Sequence, residues 1–250
     1  MTPEAVLRAL DLPPGALVDR RIPKAALAER VACSPGDRRR IAEGLEQLRW
    51  HAVLKPETVG LPAAAGPPEV REVQVLVAAF RPGPRTSRLH ELVHRAVAYP
   101  ALLVVEAPEP ALSLAWKRPA LDDAKRVVLD GPVHRLDWQL DAPDEHGPAF
   151  LAALALGAAP RSDLAALYQG WLDAVLALQA ARRTGRFVLP AGSADAARRR
   201  EALLACDGLE ATIDRLRAAA RRERQTARRV DLNLELRRRQ AELSAALGRL

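Results

Sequence analysis

The chain has 250 residues, of which 49% are hydrophobic and 28% charged, and its formal net charge is +7. That length suits one sizeable domain, or a compact domain with an extension, and the composition excludes a mostly disordered chain. Cys33 and Cys206 fit no metal or redox spacing, which disfavours a disulfide framework or a cysteine zinc site and indicates a reducing cytoplasm. The longest apolar run, 149–156, is far shorter than the roughly 20 residues of a membrane helix, so no membrane partner is expected.

The N-terminal part of the chain is predicted to be helical. Residues 1–30 indicate short helical pieces broken by prolines. The run 34–37 has serine, then proline, then an acid at the third helical position, which predicts a helix start. We expect that helix to run to about Trp50, with Leu45 and Leu48 on one face.

A sheet is predicted over about 51–140. Valines at 73–77 alternate with the polar residues Glu72 and Gln74, so this strand is expected to bury one face. A helix is predicted at 87–98. The other predicted strands lie at 51–55, 101–106, 126–130 and 133–140. The order of these elements predicts an α+β fold with a mixed or antiparallel sheet and covering helices.

Helices dominate the rest of the chain. The pattern predicts one helix at 149–156 and a longer one from Ser162 to about Arg183, followed by a break. No proline occurs between 193 and 250. We therefore predict a body of about 1–190 and a helical C-terminal extension of about 193–250.

The extension carries heptad spacing. Leu209, Ile213, Leu216 and Ala220 follow a 4-3-4 rhythm, whereas 221–229 is almost entirely polar. A single helix of about 50 residues would be roughly 75 Å long. The pattern fits a coiled coil or a helical hairpin with the polar stretch as its weak point. Pairing with a second copy, giving a homodimer, and packing along the same chain both stay open.

The extension also holds most of the charge. Residues 198–250 contain 14 Arg and 8 acidic residues, a balance of +6, and the remainder is near neutral at +1. This asymmetry indicates an anionic partner such as DNA, with sequence-independent and salt-sensitive contacts. The alternative is a solvated helix face, because 34 of the 38 basic residues are Arg, as GC-rich coding produces. The candidate nucleic-acid-binding residues are Arg221, Arg222, Arg224, Arg228 and Arg229.

One motif matches a zinc hydrolase. His90, Glu91 and His94 have the H-E-x-x-H spacing, which puts two imidazoles one turn apart with a glutamate as general base. These three residues are the candidate catalytic set, and the two histidines are the candidate metal ligands. Tyr99-Pro100 ends the helix early and no third ligand follows, so no metal or cofactor is expected. The alternative is a helix that covers the sheet.

Other enzyme signatures are weaker. Glu72, Glu106 and Lys117 lie on predicted strands, as in a metal-dependent nuclease, but no Asp followed by Glu-x-Lys occurs. Neither a glycine-rich phosphate loop nor a nucleophile elbow is found in the sequence. The residues therefore leave enzymatic activity open and favour its absence.

Five stretches carry a resemblance to a known family. They are 21–24, 48–58, 70–75, 98–100 and 222–233. In these stretches the chain resembles the prokaryotic family known as domain of unknown function 4391. The resemblance implies a place beside helicases and DNA methyltransferases in restriction or phage-defence gene clusters. It carries over no catalytic residue.

The combined prediction is a non-enzymatic accessory or adaptor subunit of a bacterial DNA-targeting defence system. Its body would dock on a helicase or methyltransferase, and its C-terminal helix would self-associate or touch nucleic-acid backbone. The alternative is a metal-dependent hydrolase, either a nuclease-like sheet or a zinc hydrolase around His90 and His94. The predicted location is the cytoplasm.

Overall fold

The computed structural model describes residues 1–30, 34–66, 69–83, 86–120, 127–138 and 144–250. These residues form two compact units, Met1–Val175 and Leu176–Leu250. Cys33 and the outer ends of two predicted strands, at 126 and at 139–140, lie outside the described residues.

The elements of the first unit among the described residues are seven α-helices, one short 3-10 helix (Pro14–Ala16) and eight strands, and the last α-helix continues into the second unit. The helices are α1 (Pro3–Ala9), α2 (Lys24–Arg30), α3 (Pro35–Gly44), α4 (Pro56–Val59), α5 (Thr86–Ala96), α6 (Gly147–Leu154) and α7 (Leu164–Thr184). The strands are β1 (Leu17–Arg21), β2 (Leu45–Leu54), β3 (Val73–Phe80), β4 (Ala101–Ala107), β5 (Ala111–Leu114), β6 (Lys117–Pro119), β7 (Val127–Leu129) and β8 (His134–Asp137).

Six strands form a mixed sheet in the order β1-β2-β3-β4-β5-β8. β3 and β4 are parallel, joined through α5, and the other neighbours in the sheet are antiparallel. β6 and β7 form a separate antiparallel ribbon. The predicted α+β class with a mixed sheet is confirmed.

The central strand β3 is buried on both faces, although its alternation predicted one. Leu76 and Phe80 pack in the core beneath α5, beside Leu92. Val75 and Val77 on the opposite face are equally buried. A strand with a neighbour on each side, in a sheet covered on both faces, has no solvent-facing side. The polar residue of β3, Gln74, lies near the start of the strand.

The helix predicted from Ser34 to Trp50 is wrong in its second half. Ser34 is the N-cap, because its Oγ accepts from the Asp37 N–H at 3.2 Å. The helix ends at Gly44, however, and β2 begins at once. Register shifts interrupt the pairing of β2 with β3, and a bulge moves the alternation of side chains by one residue. Leu45 and Leu48 therefore both face the core at a spacing that resembles a helix.

β1 is one of the two edge strands of the sheet, and the prediction of helical pieces over residues 1–30 is wrong at this strand. All five of its residues are exposed, including the apolar Leu17 and Val18. Asp19 has a φ of 44°, and the pairing with β2 shifts between Leu17 and Arg20. The strand is therefore bulged at Asp19.

The second unit contains the end of α7 and two long helices, α8 (Ser193–Arg222) and α9 (Thr226–Leu247). Arg249 lies beside Ala202 and Ala205, so the two helices run antiparallel as a hairpin. The turn falls at 223–225, inside the predicted weak stretch, and one continuous helix of about 50 residues is not formed. In the part of the chain that the structure describes, no helix is both long and apolar enough to cross a membrane.

Candidate functional site

Helix α5 places both histidines of the zinc-hydrolase motif in the core. His90 and His94 are each 1% exposed, and Ser113 on β5 is fully buried. His90 Nδ1 lies 2.8 Å from Ser113 Oγ, and His94 Nε2 lies 3.0 Å from the same oxygen. A hydroxyl has one proton to give, so at most one imidazole accepts it and the other donates to the oxygen. We name these three residues the His–Ser–His cluster.

Burial keeps the imidazoles of this cluster neutral. Desolvation, and to a smaller extent the charge of Arg135, lowers the pKa of His90 to about 3. Desolvation and then the charge of Lys117 hold the pKa of His94 well below its ordinary value. The other two ring nitrogens, His90 Nε2 and His94 Nδ1, have no hydrogen-bond partner among the described residues. The geometry suits a link between α5 and the sheet.

The glutamate of the motif has other partners. The Glu91 carboxylate pairs with Arg88 at 2.6 Å and with Arg95 at 2.7 Å. Arg88 also pairs with the buried Asp37 of α3 at 2.6 Å, which joins the two helices. The two histidines of the motif therefore belong to the buried His–Ser–His cluster, whereas its glutamate belongs to a network of ion pairs. No group of three or more His, Cys, Asp or Glu that could hold a metal occurs within the described ranges.

The three residues that suggested a metal-dependent nuclease do not form a common site. Glu72 precedes β3 and Glu106 lies near the end of β4. Because β3 and β4 are parallel, these carboxylates are at opposite ends of the pair. Lys117 is buried, which lowers its pKa to about 7. Its Nζ donates to the backbone carbonyls of Val97 and Tyr99 at the end of α5, and contacts neither glutamate.

A cleft of about 490 Å³ opens beside the edge of the sheet in the first unit. β1, the start of α2, β2, the start of β3 and the turn after α5 form its walls. Its side chains include two arginines, two aromatic rings and two hydrogen-bonding residues: Arg20, Arg21, Trp50, Tyr99, Glu72 and Gln74. Four of the five stretches that carry the family resemblance, all except 222–233, contribute residues to this cleft.

A line of hydrogen bonds fixes the polar wall of the cleft. Trp50 Nε1–H donates to Gln74 Oε1 at 2.9 Å, and Gln74 Nε2–H donates to Glu72 Oε1 at 2.6 Å. Glu72 Oε2 pairs with Lys55 Nζ at 3.4 Å. The Trp50 ring packs on the core, so its orientation is set by packing and by the Gln74 bond.

The predicted nucleic-acid-binding arginines meet at the turn of the α8–α9 hairpin. Arg221 and Arg222 end α8, Arg224 lies in the connection, and Arg228 and Arg229 begin α9. All five are exposed. Of the residues that the structure describes, none forms an ion pair with them. We name residues 221–229 the hairpin tip.

The start of α9 adds a second source of positive potential. Gln225 at the N-cap makes no side-chain capping bond, and the first turn holds no acidic residue. The one acid of the tip, Glu223, accepts a hydrogen bond from the Gln225 N–H at 2.8 Å. Free N–H groups and the helix dipole together favour an anion at this position.

Two features of the candidate sites could not be predicted from the sequence. Ser113 lies 19 and 23 positions from the histidines that it joins, and no local pattern indicates such a contact. The cleft brings together four stretches that are separate in sequence. One of its walls is β1, a strand that the sequence did not predict. A usable signal was present at Trp50 and Gln74, since a polar residue at the start of a valine-rich strand needs a partner when buried.

Comparison with known proteins places the chain in a family. None of the curated proteins and none of the solved structures matches it. The family described as Domain of unknown function (DUF4391) matches residues 10–243, which include the sheet, the cleft and most of the hairpin. The chain therefore belongs to this family, as the resemblance in its sequence predicted.

Proposed function

We propose that the protein is a non-enzymatic accessory subunit that grips the phosphate backbone of nucleic acid with its hairpin tip. The observation that carries this proposal is the group of five exposed arginines around the uncapped start of α9. Guanidinium groups fork onto phosphate oxygens, and free helix N–H groups bind the same oxygens.

Several arginines elsewhere in the second unit are paired with acidic residues. On α9, Arg239 pairs with Glu235 at 2.7 Å and with Glu242 at 2.8 Å, and at the end of α7 Arg183 pairs with Asp207 at 2.5 Å.

The five arginines of the tip have no such partners among the described residues, and two of them, Arg228 and Arg229, lie at the start of α9, where a cation weakens the helix. Arg221 and Arg222 end α8, where a cation stabilises the helix. The unfavourable charge at the start of α9 supports a binding role for this group.

This proposal fits the accessory role that the resemblance implies. A helicase or DNA methyltransferase would supply catalysis, and the tip would supply a sequence-independent hold on the duplex. Val230 and Leu234 on α9 are 51% and 58% exposed, and they offer a second copy an apolar contact close to the tip. A homodimer would double the number of phosphates held.

The test is fluorescence anisotropy of a labelled DNA duplex across a salt series with full-length protein. For five phosphate contacts, log Kobs against log salt should have a slope of about −4 to −5. Substituting the five tip arginines with Gln lowers the formal net charge from +7 to +2 and should bring the slope close to zero.

The matched control removes the same charge elsewhere on the hairpin. It replaces five exposed arginines outside the tip with Gln: Arg198, Arg215, Arg217, Arg237 and Arg238. This variant should keep most of the slope. If both variants lost the same part of the slope, net charge alone would explain the binding and the tip would have no special role. No binding of the duplex by the wild-type chain would refute the proposal. Sedimentation of each variant reports the dimer separately.

A further inference from the structure

The cleft of the first unit has the dimensions and chemistry of a small-ligand site. Its volume of about 490 Å³ lies within the roughly 300–1,000 Å³ of such sites. Buried apolar groups of Ile22, Leu27 and Val97 line it. A few polar groups stand on one wall, which is the arrangement that orients a ligand.

Trp50 offers a flat surface that is held in place before any ligand arrives. Its indole N–H is bonded to Gln74, and Gln74 is itself 5% exposed and bonded to Glu72. An aromatic ring whose orientation is already set loses little freedom on stacking, so it binds a planar group more tightly. Tyr99, 39% exposed, stands on the wall formed by the turn after α5.

Glu72 supplies hydrogen-bond acceptors beside the ring. Its side chain is 12% exposed, and each carboxylate oxygen has one partner, Gln74 or Lys55. A carboxylate oxygen has two lone pairs, so each can accept a further bond. The amino and imino N–H groups on the edge of a nucleobase are donors of the matching kind.

One cation stands at the mouth of the cleft on the same face of the sheet as Trp50. Arg20 is exposed, lines the cleft and forms no ion pair with any residue that the structure describes. Arg21 also borders the cleft, but its partner in the strand pairing is Arg49, so it starts from the opposite face of the sheet. Arg20 is directly opposite Trp50 in the β1–β2 pairing, so its side chain starts about 5 Å from that of Trp50. A ligand that stacks on the indole would therefore carry its charged group within reach of a guanidinium.

We infer that this cleft binds a nucleotide, with the base against Trp50, its N–H edge toward Glu72 and its phosphate at Arg20. The ligand combines a planar ring with an anionic group, and both parts have a partner here. The cleft belongs to the first unit and the hairpin tip to the second. The nucleotide is either free or one residue of a single strand, because both present the same base and phosphate.

The test is isothermal titration calorimetry of full-length protein with AMP, GMP, CMP and UMP, the four nucleosides, and inorganic phosphate. At least one monophosphate should bind more tightly than its nucleoside and than phosphate alone. Trp50→Leu should weaken that binding about tenfold or more. The double variant R20Q/R21Q should reduce the affinity for the monophosphate to that for the nucleoside.

The control is Trp116→Leu. Trp116 is also part-buried and donates its Nε1–H to a glutamine, Gln169, at 2.9 Å, but it does not line the cleft. This variant should keep the wild-type affinity. The thermal midpoint of each variant shows whether it folds. If Trp50→Leu fails to fold, R20Q/R21Q still tests the site, because it changes only exposed side chains.

A further titration distinguishes a free nucleotide from a single strand as the ligand. It uses a single-stranded oligothymidylate of about ten nucleotides and the variant whose five tip arginines are replaced by Gln. Binding of the strand that is lost on Trp50→Leu or in R20Q/R21Q would assign the site to a single strand. Binding of a monophosphate alone would assign it to a free nucleotide. The proposal is overturned if no monophosphate or strand binds, or if both cleft variants bind like wild type.

Discussion

The His–Ser–His cluster and the hairpin tip place polar groups in opposite surroundings. His90 and His94 lie in the core of the first unit and share one hydroxyl. The arginines of the tip stand in solvent at the turn of the second unit. A buried polar group loses its water and depends on its partner, so its removal changes stability. Removing an exposed, unpaired cation changes stability little, and under the proposed function it weakens nucleic-acid binding instead.

The largest effect is expected from Ser113→Ala. The substitution leaves two buried ring nitrogens, His90 Nδ1 and His94 Nε2, without their shared partner. The free energy of unfolding of the first unit should fall by about 2–4 kcal/mol. Urea unfolding followed by tryptophan fluorescence measures it, because all four tryptophans lie within Met1–Val175.

The control for this prediction is Ser87→Ala, the same change at an exposed position of α5. It should alter the free energy of unfolding by less than about 0.5 kcal/mol. If Ser113→Ala were equally mild, the cluster would not hold α5 on the sheet, and the contrast between the two regions would fail.

The pH dependence of stability gives the next effect. The pKa of His90 is about 3 in the folded chain and about 6.5 when unfolded, so the unfolded chain binds the additional proton between these values. The free energy of unfolding should therefore fall as the pH drops below about 6.5, by about 1 kcal/mol per pH unit for this histidine. His94, whose pKa is also lowered by burial, acts in the same direction.

The measurement is the urea free energy of unfolding at several pH values between about 6.5 and 4 for wild type and His90→Leu. Carboxylates titrate in both proteins, so the difference between the two slopes isolates the histidine. The variant should have the shallower slope. Parallel slopes would mean that His90 is protonated in the folded chain, contrary to its burial beside Ser113.

The smallest effect is expected from Arg239→Ala on the hairpin. Arg239 makes two ion pairs within α9 and its side chain is 36% exposed. Such pairs contribute about 0.5 kcal/mol or less, so the helical melting midpoint followed by circular dichroism should move by less than about 4 °C. A loss as large as that of Ser113→Ala would show that surface charge also stabilises the second unit.

The fold class and most elements of the first unit could be predicted from local patterns. The start of α3 at Ser34, α5 and β4 follow from capping residues and apolar periodicity, which are properties of neighbouring residues. The change from α3 to β2 at Gly44 could not be predicted, because bulges gave Leu45 and Leu48 a helical spacing. A bulge depends on the partner strand, which periodicity does not show.

The candidate sites show the same limit. The five tip arginines could be selected from the sequence because they lie within nine consecutive residues. The turn at 223–225 could be indicated only as a weak stretch, since it contains neither Gly nor Pro. The partner of His90 and His94, and the meeting of Trp50 with Glu72 and Arg20, depend on strand pairing. Those contacts become visible only in three dimensions.

The bulge in β1 has a consequence for how copies of this protein meet one another in concentrated solution. A flat, apolar sheet edge is a template for a strand of another molecule and a starting point for aggregation. Leu17 and Val18 would favour such growth, but the left-handed Asp19 interrupts the row of backbone donors and acceptors. Arg20 and Arg21 would in addition face their own copies across the contact. The bulge and these charges therefore disfavour the addition of a second copy along this edge.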